Sequence, residues 1–120
     1  MTQLRFALAQ IDTCVGALDA NAAKVLDYSR KAAAGDAQVA IFPEMTLTGY
    51  PIEDLALRRT FRQAAWDKAN ELAGQLQDEG LGHLFVVVGT VGTDRETSKP
   101  RNRLVVLHEG VVWTCLLYTS

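Results

Sequence analysis

The residues best suited to chemistry lie in one short stretch, FPEMTLTGYPIEDL, at positions 42–55. Glu44 directly follows an apolar run and Pro43, and Tyr50 comes six residues later in a Thr-Gly-Tyr-Pro turn. In open α/β folds, sites lie on the loops beyond the carboxyl ends of strands. A glutamate held there beside an apolar wall can gain proton affinity and act as a general base. From spacing alone, a solvated carboxylate at a strand end explains Glu44 equally well.

The neighbouring residues of this stretch have simpler explanations. An aromatic such as Tyr50 is more often a core or rim residue than a substrate contact. Glu53 and Asp54 precede the second predicted helix, where negative charge near the helix N-terminus is mildly stabilising. We therefore assign a structural role to both carboxylates, and Glu44 stays the one candidate catalytic residue of the stretch.

Other reactive side chains form no recognisable constellation. Cys14 follows the first predicted strand without a His or Lys at a motif spacing, which favours a spectator thiol. Cys115 falls within a strand pattern, and neither His83 nor His108 has a partner that spacing can identify. The sequence contains no CxxC, no metal-ligand spacing and no phosphate-binding glycine motif. We therefore predict no metal and no cofactor bound by these residues.

The periodicity predicts the elements that must position Glu44. Continuous apolar runs predict buried strands at 4–11, 38–42 and 84–91, the last of them covered on both faces. A first helix is expected to begin at Ala20 with Asp19 as its N-cap, and to end at Gly35 in a left-handed conformation. A second helix is expected over residues 59–77, and a hairpin turning at 108–110 joins two final strands. The order β-α-β-α-β plus a β-hairpin indicates an α/β layered fold.

Each predicted helix has one apolar face. On the first helix this face is formed by Ala22, Val25, Leu26, Ser29 and Ala33. On the second it is formed by Phe61, Ala64, Ala65, Leu72, Ala73 and Leu76, with Arg62 among the residues off the stripe.

Composition limits the kind of protein and its partners. The chain has 120 residues, of which 48% are hydrophobic and 22% charged, as in ordinary globular domains. A formal net charge of -2 gives no support for a nucleic-acid or anionic-membrane partner. No apolar run is long enough to span a bilayer, and the N-terminus lacks signal-peptide features. With two cysteines and no disulfide pattern, we expect a reducing, cytoplasmic setting.

The stretch FPEMTLTGYPIEDL resembles the signature after the second strand in the nitrilase, or carbon–nitrogen hydrolase, superfamily. Its GYPIEDL ending is similar to one branch, the glutaminase domain of glutamine-dependent NAD+ synthetases. Further similar segments are ALAQI, VGALDANAAKV, VVVGTV and RNRLVVLHEGVVW. The resemblance extends over about residues 3–114, so residues 1–114 are expected to form the N-terminal part of such a domain, with 115–120 a tail unlike the family.

The resemblance implies an αββα sandwich, of which this chain forms a truncated part, and a Glu-Lys-Cys catalytic triad. In that chemistry a cysteine thiolate attacks the amide carbon of glutamine, the glutamate is the general base, and the lysine stabilises the oxyanion. Glu44 matches the glutamate, and Tyr50 matches a tyrosine lining the glutamine pocket. The family further implies a homo-oligomer, and a separate synthetase domain that uses ATP and Mg²⁺ and receives the released ammonia.

The family's lysine and cysteine lie beyond the segment that resembles it. Lys68, Lys99, Cys14 and Cys115 match neither motif, so we expect no glutamine hydrolysis by the 120 residues alone. We also expect the VVVG and VVWTCLL strands to stay partly uncovered, with an open sheet edge and a tendency to associate. The alternatives are part of a stand-alone nitrilase-superfamily amidase and a non-catalytic α/β interaction module.

Overall fold

A computed structural model describes residues 4–14, 16–43, 46–49, 58–94, 96–97 and 99–116. Its elements in chain order are β1 (Phe6–Leu8), α1 (Leu18–Ala34), β2 (Val39–Ile41), α2 (Arg59–Asp78), β3 (Phe85–Thr93), β4 (Pro100–His108) and β5 (Val111–Leu116). Within these ranges no helix is both long and apolar enough to cross a membrane.

The strands form one sheet with the order β1-β2-β3-β4-β5. β1, β2 and β3 run parallel, while β4 and β5 are antiparallel additions. Each parallel pair is connected through a helix, as the predicted β-α-β-α-β order requires. Both residues of the final turn have positive φ, 52° at Glu109 and 74° at Gly110, as a tight two-residue hairpin turn demands. The predicted fold class is confirmed.

The ends of α1 differ from the sequence prediction. The helix begins at Leu18 after Ala17, and no side chain caps it, so the prediction of Asp19 as N-cap is wrong. Asp19 lies instead in the first turn, where its negative charge suits the exposed N–H groups. At the other end Gly35 has a φ of -88°, and Asp36 takes the left-handed conformation with a φ of 63°. An aspartate tolerates this region better than most side chains, which explains how the turn forms one residue late.

The predicted apolar faces are largely correct. On α1, Ala22, Val25 and Ser29 are buried, as expected. On α2, Ala64 is exposed, whereas Arg62 is only 5% exposed, contrary to prediction. The Arg62 guanidinium donates a hydrogen bond from Nε to Thr93 Oγ1 at 2.8 Å, so a polar partner on β3 accounts for its burial.

Both helices pack on the same face of the sheet, where they enclose the main core. The largest fully buried side chains of this core include Val25, Leu72, Leu84, Val86, Val88, Val105 and Leu107. The opposite face carries the alternate residues of the strands, and no helix or strand of the described residues forms a layer over it. β1 is therefore not the buried strand predicted, because Phe6 and Leu8 are both exposed. β3 is uncovered on one face only at its start, where Phe85 is 43% exposed. Residues 88–92 are buried without alternation, so the predicted cover on both faces is confirmed for that part of the strand.

Candidate functional site

The segment that contains Glu44 is held at both ends by the neighbouring strand. At one end the Phe42 N–H donates to the Val87 carbonyl at 2.9 Å, and at the other the Leu47 N–H donates to the Gly89 carbonyl at 3.1 Å. Phe42 and Leu47 are five residues apart in sequence, whereas their acceptors are two apart (47 − 42 = 5; 89 − 87 = 2). A regular parallel ladder advances by two residues on each strand, so the chain between Phe42 and Leu47 is three residues longer than the ladder needs (5 − 2 = 3).

The connection between Phe42 and Leu47 lies where a site is expected, beyond the carboxyl ends of the parallel strands. The Thr46 N–H and hydroxyl both donate to the Pro43 carbonyl, which closes a turn across the segment. Leu47 and Thr48 are fully buried, and Gly49 adopts a φ of 80°, a conformation that glycine reaches without strain. Glu44 and Tyr50, the two predicted site residues, lie outside the described residues, as do Glu53 and Asp54.

A buried asparagine that sequence reasoning missed joins this turn to the loop after β1. Asn21 accepts the Cys14 N–H at Oδ1, and its Nδ2 donates to the carbonyls of Cys14 and Leu47. Beside it, the Gly16 N–H donates to the Thr48 carbonyl at 2.9 Å. A signal was present, because Asn21 lies one helical turn before Val25 and Ser29 on the same face of α1 and is thereby directed inward.

Two arginines meet at the carboxyl end of β3. Arg62 reaches Thr93 Oγ1, and an Arg103 Nη donates to the Thr93 carbonyl at 3.1 Å. Gly92 makes room for this second guanidinium, because a Cβ there would lie 2.6 Å from Arg103 Nε. Arg103 is partly buried over β3, whereas Lys99 is exposed.

Lys68 is engaged in ion pairs and is not free for catalysis. Lys68 lies between α1 and α2, where its ammonium pairs with Asp19 at 2.5 Å and with Glu71 at 3.1 Å. The hydrogen bond to Asp19, and after it the bond to Glu71, raises the pKa of Lys68 and keeps the group charged. Cys14 is an exposed free thiol. Among the described residues, no group of three or more His, Cys, Asp or Glu side chains could hold a metal ion.

The histidine of the hairpin has a structural role on the open face of the sheet. His108 stacks on Phe85 with ring centroids 3.8 Å apart, and its Nδ1 lies 3.2 Å from the Leu84 carbonyl. This pairing is local and lies at the amino end of β3, whereas Leu47 bonds to Gly89 in the middle of the strand, so His108 does not belong to the candidate site.

The fold and this edge define an α/β protein whose candidate site is carried by the loops beyond three parallel strands. A sequence profile described as "Carbon-nitrogen hydrolase" matches residues 5–114. Since the match covers most of the chain, the protein belongs to the carbon–nitrogen hydrolase family, and the resemblance recognised from FPEMTLTGYPIEDL is confirmed.

Individual relatives agree with this membership. The chain is 35% identical over 109 residues to the glutamine-dependent NAD(+) synthetase of Mycobacterium tuberculosis, a match covering 91% of this chain and 15% of that protein. The solved glutamine-dependent NAD+ synthetase of Acinetobacter baumannii, in complex with ADP, is 30% identical with a TM-score of 0.77, covering 93% of this chain and 20% of that one.

A solved amidase from Nesterenkonia sp. has the same fold, with 20% identity and a TM-score of 0.68. That match covers 92% of this chain and 40% of the amidase chain. The chain therefore spans less than half the length of each of these relatives, and the activities of the whole proteins are proposals for it.

Proposed function

We propose that this chain contributes the general base, Glu44, and one wall of the glutamine pocket, Tyr50, to the glutaminase domain of a glutamine-dependent NAD+ synthetase. The observation that carries the proposal is the 35% identity to such a synthetase across 109 residues. The pinned segment around Glu44 supports it, because a general base must be held within hydrogen-bond reach of the proton it moves.

In the proposed reaction Glu44 takes the thiol proton of a cysteine supplied beyond residue 114. The thiolate attacks the side-chain amide carbon of glutamine, and a lysine, also from beyond residue 114, stabilises the oxyanion. Glu44 then delivers the proton to the departing ammonia, which leaves a glutamyl thioester. Water, deprotonated by the same carboxylate, hydrolyses that thioester to glutamate and regenerates the thiol. Two of the three catalytic groups thus come from sequence outside this chain.

The wider biology follows from the same proposal. The ammonia would serve a second domain that activates nicotinic acid adenine dinucleotide with ATP and Mg²⁺ and amidates it. We expect the full protein to be cytoplasmic and homo-oligomeric, with 115–120 a tail outside the domain.

A stand-alone amidase is the second candidate, favoured by the fold match to the Nesterenkonia enzyme. Structures of that enzyme contain butyramide in one case and acrylamide added at the active-site cysteine in another. These two candidates differ in substrate, since a synthetase-type site should prefer glutamine and an amidase-type site a simple aliphatic amide.

The test is ammonia release by the gene product read past the codon for Thr114, with glutamine and butyramide compared. We expect glutamine to be preferred and Glu44→Gln to lower kcat by about 100-fold or more, because general base catalysis is worth that much. Glu71→Gln, which removes a surface carboxylate paired with Lys68, is the matched control and should leave kcat unchanged. Preference for butyramide would favour the amidase. Full activity in Glu44→Gln would refute the assignment of Glu44, and no activity on either amide would favour a non-catalytic module.

A further inference from the structure

Asn21 is a buried and fully hydrogen-bonded side chain at the carboxyl edge. It is 0% exposed, and its carboxamide makes three hydrogen bonds to backbone groups of two separate segments. Oδ1 accepts the Cys14 N–H at 2.9 Å, and Nδ2 donates to the Cys14 carbonyl at 2.8 Å and to the Leu47 carbonyl at 3.0 Å. The partners comprise one donor and two acceptors, which fixes the orientation of the amide.

No other side chain of similar size can hydrogen-bond to all three of these backbone groups. An aspartate would accept the Cys14 N–H but set a carboxylate oxygen against two carbonyl oxygens. A leucine of similar volume would leave the Cys14 N–H and the carbonyls of Cys14 and Leu47 without that partner. A polar group that is left unsatisfied in a buried position destabilises the folded state. Position 21 therefore requires an amide side chain, because its hydrogen-bond partners are backbone groups of two loops and not of α1.

Leu47 links Asn21 to the sheet through hydrogen bonds. The Leu47 carbonyl receives Asn21, while the Leu47 N–H donates to Gly89 of β3. The Gly16 N–H, two residues after Cys14, donates to the Thr48 carbonyl. α1, the loop after β1, the turn after β2 and β3 are thereby joined into one hydrogen-bonded unit. Leu47 is also the fixed end of the segment that carries Glu44.

We infer that Asn21 is a positioning residue, which sets the place of the turn after β2 and through it the segment containing Glu44. It acts through backbone groups and does not itself take part in the chemistry. Its effect on catalysis rests on the proposed role of Glu44, whereas its effect on the loops does not.

Hydrogen exchange with residue-level mass spectrometry tests the loop effect on the 120-residue chain. In Asn21→Leu, we expect the amides of Cys14, Gly16 and Leu47 to exchange at least about tenfold faster, relative to the Val88 amide of the core. Asn21→Asp should release the Leu47 amide in the same way, because it lacks the two donors.

Ser29→Ala is the matched control for this experiment. Ser29 is equally buried on the same helix, but its hydroxyl donates only to Val25 of α1, at 2.7 Å. Its substitution should leave the three loop amides unchanged relative to Val88. Uniform acceleration in Asn21→Leu, as in any globally destabilised variant, would overturn the inference.

Wild-type exchange in low concentrations of urea decides the matter where Asn21→Leu does not fold. The amides of Cys14, Gly16 and Leu47 should then open together, with one free energy and one urea dependence below that of the core. Separate opening of the Cys14 and Leu47 amides would contradict the inference.

A kinetic measurement separates positioning from plain structural support. In the gene product read past residue 114, Asn21→Leu should lower kcat for glutamine about 10- to 100-fold with little change in KM, because a small displacement of a catalytic group has that effect. Ser29→Ala should retain wild-type kcat. Released loops with unchanged kcat would refute the positioning role. A wild-type protein inactive on glutamine would refute the proposed function instead, and hydrogen exchange would then decide the role of Asn21 by itself.

Discussion

The two faces of the sheet have similar apolar side chains and opposite surroundings. Toward the helices, Val86, Val88 and Leu107 are almost completely buried. On the other face, Leu8 of β1 is 69% exposed and Trp113 of β5 is 59% exposed, although these strands belong to the same sheet. One face is packed in a core, and on the other face apolar side chains are in contact with solvent.

This difference shows that the sheet is suited to a layer on each side. Parallel strands normally have both faces covered, and exposed apolar patches of this kind mark contact surfaces. The expectation of uncovered strands is confirmed at Val111 and Trp113 of the VVWTCLL segment. It is wrong for most of VVVG, because Val86 and Val88 are 0% exposed and Gly89 is buried, which leaves only Val87 partly exposed. The carboxyl edge differs again, because Asn21, Leu47 and Thr48 are fully buried there even though one face of the sheet is open.

The largest effect should come from matched leucines on the two faces of β4. Leu107 is buried against the helices, whereas Leu104 is half-buried and, by strand alternation, lies on the other face. We expect Leu107→Ala to lower the free energy of unfolding by about 2–5 kcal/mol, because it leaves a cavity in a packed core. Leu104→Ala should cost clearly less. Urea denaturation of both variants measures this, and equal losses would mean that the two faces are equally packed.

The next effect concerns self-association through the open face. The combined change Phe85→Thr and Trp113→Thr removes two exposed aromatic side chains, 43% and 59% exposed. We expect the dissociation constant for self-association to rise at least about tenfold in sedimentation equilibrium, because aromatic residues dominate such contacts.

A control for association is Ala34→Thr, at the exposed end of α1, which should leave the constant unchanged. A wild-type chain that stays monodisperse and monomeric, and unfolds in one sharp transition, would contradict an association-prone open face.

The smallest effect lies in the loop between β3 and β4, outside both faces. Backbone N–H donors from Thr97 and Glu96, together with Arg101, lower the pKa of Asp94 from its ordinary 3.8. Since the folded pKa is the lower one, this stabilisation is present above about pH 3.8 and is lost as pH falls through the folded pKa. Asp94→Asn should therefore lower the urea midpoint slightly at pH 7, and the difference should shrink as the pH is lowered below 3.8. A difference that persists in acid would refute the electrostatic explanation.

Much of the fold was predictable because local patterns determine it. The apolar stripe of α2 and the Glu109-Gly110 turn are confirmed within a residue or two. The errors arise where distant contacts decide. Arg62 is buried because Thr93 offers an acceptor 31 positions away, and Phe6 and Leu8 of β1 are exposed because no described helix or strand packs on that face. Such contacts leave no periodic trace in the sequence.

The residues of the candidate site likewise separate into those that a local motif predicts and those that only distant contacts reveal. Glu44 and Tyr50 were found through a motif, and they remain predictions because they lie outside the described residues. Asn21 was missed, since its importance depends on Leu47, 26 positions along the chain. The sequence motif thus predicted which side chains carry the chemistry. Only the fold showed that Asn21 and Gly89 hold the backbone of Leu47, three residues after Glu44.

The central claim is that this chain carries one of three catalytic residues, on a segment whose two ends are fixed by backbone hydrogen bonds to β3. Ammonia release from glutamine tests it most directly, with the purified 120-residue chain and the product read past the codon for Thr114 assayed side by side. The account predicts no release above background by the 120 residues, and release by the longer protein that Glu44→Gln abolishes. Measurable release by the 120-residue chain would contradict it, as would a longer protein whose activity does not depend on Glu44.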